Sequence, residues 1–178
     1  MISALLAVLG ATPGAAHAAD CPTLLAQHRA SDLALSLEQF DQDEQQGWRS
    51  LGGAGCESQA ADLIAAYAAL HPHPILTWHQ AQMLAKAGRT AEAIEAAGRT
   101  LRPAGSDDAS GFDWNDYATA TIQFLQGDKA ALLASRERLA QAAQQHDVNM
   151  PNLRAVDRLV RCFGQPYKAA YACKPAAP

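Results

Sequence analysis

Apolar residues recur at helical spacing in the long segments of this chain, and residues that favour strands are scarce. Ala60, Leu63, Ile64 and Tyr67 are an example, since positions i, i+3, i+4 and i+7 form one face of a helix. Alanine and leucine dominate the composition, with only four valines and five isoleucines. Because alanine and leucine favour helices and β-branched residues favour strands, the sequence predicts an all-α fold with essentially no β-sheet.

Glycine and proline residues divide this pattern into about seven helices. We expect these helices over residues 31–45, 60–71, 74–87, 90–101, 114–126, 129–145 and 153–163, with a short last helix ending near residue 173. The glycines between residues 47 and 55 are interpreted as a break, and residues 103–113 as a loop. A length of 178 residues fits one domain, which we place at residues 20–178.

Residues 1–19 have the features of a cleaved signal peptide. They contain no charged residue, a short apolar stretch and a proline–glycine break, followed by small residues that suit cleavage after Ala18 or Ala19. The apolar stretch is shorter than the roughly 20 residues that span a bilayer. The alternative is a buried N-terminal helix. We expect a periplasmic or secreted protein without a membrane span.

Export makes disulfides the expected state of the four cysteines, Cys21, Cys56, Cys162 and Cys173. None of them has the C-x-x-C spacing of redox or zinc sites. Sequence proximity favours the pairs Cys21–Cys56 and Cys162–Cys173, each worth about 3–4 kcal/mol in the loop-entropy description. A pairing of Cys21 with Cys162 or Cys173 is the alternative. Asp20 makes Cys21 a poor match to a lipid-modified cysteine.

Two segments, residues 77–103 and 114–140, resemble each other. Each has a helix, then a glycine with a polar residue, then a second helix. The two glycines, Gly88 and Gly127, are 39 residues apart, and an alanine stands seven residues before each of them. A small residue at that position lets paired helices approach closely, so the segments predict two antiparallel hairpins.

The first segment resembles a tetratricopeptide (TPR) repeat. The matching positions are Ala81, Leu84, Gly88, Arg89, Glu92, Ala93, Ile94, Leu101 and Pro103. The spacing exceeds the usual repeat of about 34 residues, and Leu132 or Leu133 stands where the second segment should have a small residue. The resemblance implies a short right-handed stack of TPR-like hairpins with a groove that binds a peptide or protein. The ending, residues 162–173, resembles exported bacterial helical proteins and implies no activity.

Two rows of side chains are the candidates for the surface of such a groove. They are Trp78, Gln82 and Lys86 on the third predicted helix, and Trp114, Tyr117 and Thr121 on the fifth. Aromatic residues in a groove are typical binding hot spots. The alternative is that the tryptophans pack in the core and seal the hairpins, which is their commoner role.

Motifs for catalysis, metals and nucleic acids are weak or missing. The chain has no P-loop, no zinc-protease motif and no G-x-S-x-G. His71, His73 and His79 have spacings that suit zinc or copper but lack a nearby acidic or cysteine ligand, so we interpret them as surface histidines. The aspartates at residues 107–116 do not fit a calcium loop, and we expect Asp113 to cap the following helix.

A formal net charge of −4 and the lack of a basic tract exclude a general nucleic-acid binder. We expect no cofactor and no metal. The expected function is an interaction module of the cell envelope with a protein or peptide partner. The alternatives are an enzyme, which needs convergent ionisable groups with shifted pKa values in a helical cleft, and a stabilising subunit with a large apolar surface patch.

Overall fold

The computed structural model describes residues 20–103 and 110–174. Within these ranges, 76% of the residues are helical and no strand occurs, which confirms the all-α prediction. The α-helices are α1 Cys21–Ser31, α2 Leu37–Gln42, α3 Gly47–Gly53, α4 Glu57–Leu70, α5 Pro74–Lys86, α6 Thr90–Gly98, α7 Trp114–Gln126, α8 Lys129–Gln145, α9 Met150–Arg161 and α10 Tyr167–Tyr171. Turns of 3-10 helix, Asp32–Ala34 and Asp147–Asn149, follow α1 and α8. The predicted signal peptide, residues 1–19, lies outside the described residues.

The two similar segments form helix pairs, α5 with α6 and α7 with α8. Each pair turns at a glycine in the left-handed conformation, Gly88 at φ 77° and Gly127 at φ 75°. Ala81 and Ala120 are buried, which lets the paired helices approach closely, as the sequence predicts. Helix α6 ends at Gly98 rather than at residue 101.

The N-terminal part differs from its prediction. No single helix covers residues 31–45, because the capping box of Ser36 and Gln39 starts a separate helix, α2. The predicted glycine break is also wrong, since most of it is the helix α3. Gly47 begins α3 with a φ of 55°, and the turn comes only at Gly55, where φ is 81°.

Both disulfides join the pairs that sequence proximity favours. The Cα atoms of Cys21 and Cys56 are 5.4 Å apart, and those of Cys162 and Cys173 are 6.2 Å apart. Cys21 is the first residue of α1 and does not lie in a loose terminus. Helix α1 has no fully buried residue, although Leu24 and Leu25 pack partly buried against the core, and the disulfide adds a covalent link from its first residue to the start of α4.

The end of the chain returns to its first half. Helix α10 packs on α9 and on α5. Lys168 of α10 forms an ion pair with Glu57 of α4, with Nζ and Oε1 2.5 Å apart. The helices therefore curl around a space between α5, α7 and α10. None of the helices in the described ranges is long and apolar enough to cross a membrane.

Candidate functional site

The space between α5, α7 and α10 contains a cavity of about 470 Å³, which we name the central pocket. Its lining residues are Trp48, Arg49, Ile75, Trp78, His79, Gln82, Met83, Lys86, Phe112, Trp114, Tyr117, Asn152 and Tyr171. Five of the six groove candidates are therefore brought together in one site. The sixth, Thr121, is buried away from this lining, and its hydroxyl donates to the backbone carbonyl of Tyr117 at 3.2 Å.

Three aromatic rings form one wall of the central pocket. The ring of Trp78 is 5.0 Å from that of Trp114 and 5.0 Å from that of Tyr117, between centroids. Trp78 and Tyr117 are buried, whereas Trp114 is half-buried and donates its indole N–H to the carbonyl of Thr100. Such tilted aromatic packing is favourable, so the wall is a rigid apolar surface.

Polar groups also line the central pocket. The amide of Gln82 donates to the hydroxyl of Tyr117 at 3.3 Å. The ammonium of Lys86 lies 5.5 Å from the ring centre of Tyr171, and burial lowers the pKa of Lys86. The Nδ2 atom of Asn152 is buried and has no hydrogen-bond partner among the described residues.

Phe112 is held at the pocket by a residue that the sequence did not single out. Buried Asn149 accepts the backbone N–H of Asp113 at 2.8 Å and donates to the carbonyl of Gly111 at 2.9 Å. These two bonds fix the backbone on both sides of Phe112. Asn149 and Asp113 are more than 30 residues apart in the sequence, so a local sequence pattern could not predict this contact.

His79 brings an ionisable group to the pocket. Its Nδ1 is 2.6 Å from the Oδ1 of buried Asp41, which also accepts the indole N–H of Trp48 at 2.9 Å. Burial acts to raise the pKa of Asp41, but the hydrogen bonds from His79 and Trp48 outweigh it and hold this pKa below its ordinary value. His79 and Asp41 therefore form a histidine–aspartate pair, and the contact with Asp41 fixes the orientation of the His79 ring.

A second histidine–aspartate pair extends to a serine. His28 Nδ1 is 2.6 Å from Asp32 Oδ2, and Ser50 Oγ is 3.5 Å from His28 Nε2. The order matches a serine-hydrolase triad. Asp32 also accepts the N–H of Gly47 at 2.8 Å. None of the three side chains of this pair and serine lines the central pocket. We interpret the arrangement as a structural tie between α1 and α3.

The candidate metal ligands do not converge. His71 bonds the carbonyl of Leu33 at 3.0 Å, whereas His79 pairs with Asp41. The described ranges contain no group of three or more histidine, cysteine, aspartate or glutamate side chains placed to hold a metal ion. Asp107 and Asp108 lie outside the described residues. Asp113 caps α7 as predicted, accepting the N–H of Asp116 at 3.0 Å.

Other cavities lie at the surface of the helices. One of about 480 Å³ lies behind Trp114, near His73 and Arg99. One of about 570 Å³ borders Tyr67 and His71, and one of about 590 Å³ lies between α8 and α9. The central pocket is smaller than the last two, but it alone among the four collects five of the groove candidates.

Comparison with known proteins gives no assignment: no protein-family model, no curated protein and no solved structure matches this chain. The fold and the central pocket are therefore the only basis for a functional conclusion.

Proposed function

We propose that this chain is an exported interaction module of the cell envelope, and that its central pocket holds a segment of a protein or peptide partner. The observation that carries the proposal is the convergence of Trp78, Gln82, Lys86, Trp114 and Tyr117 on one cavity. A volume of about 470 Å³ lies within the range of about 300–1,000 Å³ for ligand pockets. The site can take the side chains of a short segment.

Two further features support this role. Two disulfides are typical of proteins in an oxidising compartment, which supports export to the periplasm or beyond. The TPR resemblance of residues 77–103 adds an analogy to helical-repeat proteins that bind peptides.

Site-specific photocrosslinking in the host of origin tests the proposal. We expect p-benzoylphenylalanine in place of Phe112, at the pocket, to give a discrete adduct with one envelope protein. The same group in place of Leu70, which is 61% exposed on α4, serves as the control and should give none. Adding Gln82→Trp, which fills the pocket, should suppress the adduct. An adduct that is equally strong at Leu70, or that survives Gln82→Trp, would contradict the proposal.

A second candidate is an enzyme with its site in the same pocket. The pairing of His79 with Asp41 favours it, because a buried carboxylate on Nδ1 orients a histidine to act as a general base through Nε2. A panel of ester, amide and phosphodiester substrates tests this candidate. It requires a turnover that His79→Ala abolishes and that His73→Ala, at an exposed histidine, leaves unchanged.

A further inference from the structure

Two hydrogen-bond donors at the central pocket have no acceptor among the described residues. The ammonium of Lys86 forms no salt bridge there, and its nearest resolved partner is the ring of Tyr171. The amide Nδ2 of Asn152 is buried without a hydrogen bond. Buried donors are normally satisfied, so the amide of Asn152 indicates that an acceptor belongs in this cavity. The ammonium of Lys86, which is half-buried, is available to the same acceptor.

The charges around the pocket favour an anion as that acceptor. Lys86 and Arg49 line the cavity, and none of its described lining residues is an aspartate or glutamate. Glu57, an acid whose charge acts on Lys86, is paired with Lys168 at 2.5 Å. The Nε of Arg49 donates to the backbone carbonyl of Asp41, and its only ion pair among the described residues is a long contact of 3.8 Å to Glu44, whose side chain is 80% exposed. The carboxylate of Asp41 contacts the lining residues His79 and Trp48 but is engaged by those two side chains, so it does not pair with Lys86 or Arg49.

The aromatic wall specifies what accompanies the negative charge. Trp78, Trp114 and Tyr117 present a rigid apolar surface beside the two donors. A carboxylate accepts hydrogen bonds from both an ammonium and an amide, and charge-assisted bonds of this kind are the strong ones. An apolar group next to the carboxylate would cover the wall.

We propose that the central pocket is a subsite for a carboxylate carried on an apolar group, bound by Lys86 and Asn152 and packed against the aromatic wall. This inference rests on the proposed function and names the chemistry of the segment that enters the pocket. The carboxylate can be an acidic side chain or the terminal carboxylate of a peptide or small acid, and the probes of the test separate these two carriers.

The test compares matched pairs of charged and neutral probes. N-acetylphenylalanine is paired with its amide, and the blocked dipeptide acetyl-Phe-Glu-amide is paired with acetyl-Phe-Gln-amide. The readout is the shift of the indole N–H signals of Trp78 and Trp114 in NMR titrations of the oxidised protein. Each carboxylate form should bind about tenfold more tightly than its neutral partner, because a charge-assisted hydrogen bond is lost in the latter. The tighter carboxylate identifies the carrier.

Two lysine variants control the assignment. Lys86→Met should weaken carboxylate binding about tenfold and remove the difference within each pair. Lys129→Met, at an exposed lysine outside the pocket, should change neither. Equal binding of charged and neutral probes, or equal effects of the two variants, overturns the inference. Failure of both carboxylate probes to bind also overturns it, whereas the adduct at Phe112 reports separately on the proposed function.

Discussion

The first 37 described residues and the central helix pairs of this protein are held together in different ways. In α5 to α8, the helices meet through buried alanine, leucine and aromatic side chains. In residues 20–56, α1 buries nothing completely. Phe40, Leu51 and other apolar residues of this region join the same core, but two aspartates, Asp32 and Asp41, are buried with them. These carboxylates accept bonds from Gly47 and Trp48, at the start of α3.

This difference explains which predictions succeeded. Apolar periodicity reports burial of apolar side chains, so it predicts helices where such burial organises the packing. It fails where a hydrogen-bonded carboxylate and a glycine with positive φ decide the path of the backbone. Loss of a crosslink, a glycine or a charge in the N-terminal region should therefore lower the free energy of unfolding. Polar changes in the central helix pairs should lower it less.

The largest effect is expected from removing the disulfide of α1. The pair Cys21→Ala and Cys56→Ala opens a crosslink over 35 residues, and Cys162→Ala with Cys173→Ala opens one over 11 residues. The loop-entropy description gives losses of about 4 and about 3 kcal/mol in the free energy of unfolding. Urea denaturation measures both. Hydrogen exchange should also show α1 losing protection first, and a larger loss from the C-terminal pair would contradict the comparison.

The next effect concerns two glycines of the same short helix. A Cβ at Gly47, where φ is 55°, would lie 2.1 Å from the carbonyl oxygen of Phe40. Gly47→Ala should therefore cost about 3 kcal/mol, through the clash, the strained backbone and the weakened bond to Asp32. Gly53 has no atom within 4 Å of such a Cβ. Gly53→Ala should be neutral or stabilise by up to about 1 kcal/mol.

Thermal and urea unfolding of these two variants give the comparison. Because both changes add one methyl group to α3, any general effect of the substitution cancels. Equal stabilities of the two variants would show that the positive φ of Gly47 does not constrain this region.

The third effect depends on pH. Asp41 has a pKa below its ordinary value in the folded protein, so its ionised form stabilises the fold. This stabilisation is fully present at pH values above the pKa of an aspartate in the unfolded chain, about 3.9. This stabilisation is lost as the pH falls through the pKa of Asp41 in the folded protein. Asp41→Asn should cost about 2 kcal/mol at pH 7, and the difference from the wild type should shrink between pH 5 and pH 2.

The control for this prediction is Asp147→Asn, at an exposed carboxylate. Its stability should run parallel to that of the wild type across the same range of pH. Urea midpoints measured at four or five pH values suffice. A constant difference between Asp41→Asn and the wild type down to pH 2 would rule out the ionised carboxylate as the cause.

The sequence predicted the parts of the molecule that depend on local patterns. The helix pairs, their turns at Gly88 and Gly127 and the cap at Asp113 follow from apolar spacing and from residue conformational preferences. The pairing of the cysteines followed from proximity. The TPR-like repeat and the right-handed stack remain predictions.

The candidate site was predictable only in part. The spacing on α5 and α7 placed five residues on faces that meet. Further lining residues come from α5 itself and from Phe112 before α7, whereas those of α3, α9 and α10 are brought there by long-range contacts. The roles of Asn149, which fixes Phe112, and of Asp41, which holds His79, cannot be inferred from spacing because their partners lie 36 and 38 residues away.

Thr121 offers the smallest expected effect and separates a buried position from a pocket position. Its hydroxyl bonds the carbonyl of Tyr117, one turn earlier in α7, and bonds of this kind add little to helix stability. Thr121→Val replaces the buried hydroxyl with a methyl group of similar size, so the lost bond and the gained apolar contact nearly offset each other. The free energy of unfolding should change by less than about 0.5 kcal/mol. Because Thr121 does not line the central pocket, the carboxylate titrations should also be unchanged. A Thr121→Val variant that binds these probes several-fold more weakly would place the functional surface along the whole row of α7 rather than in the pocket.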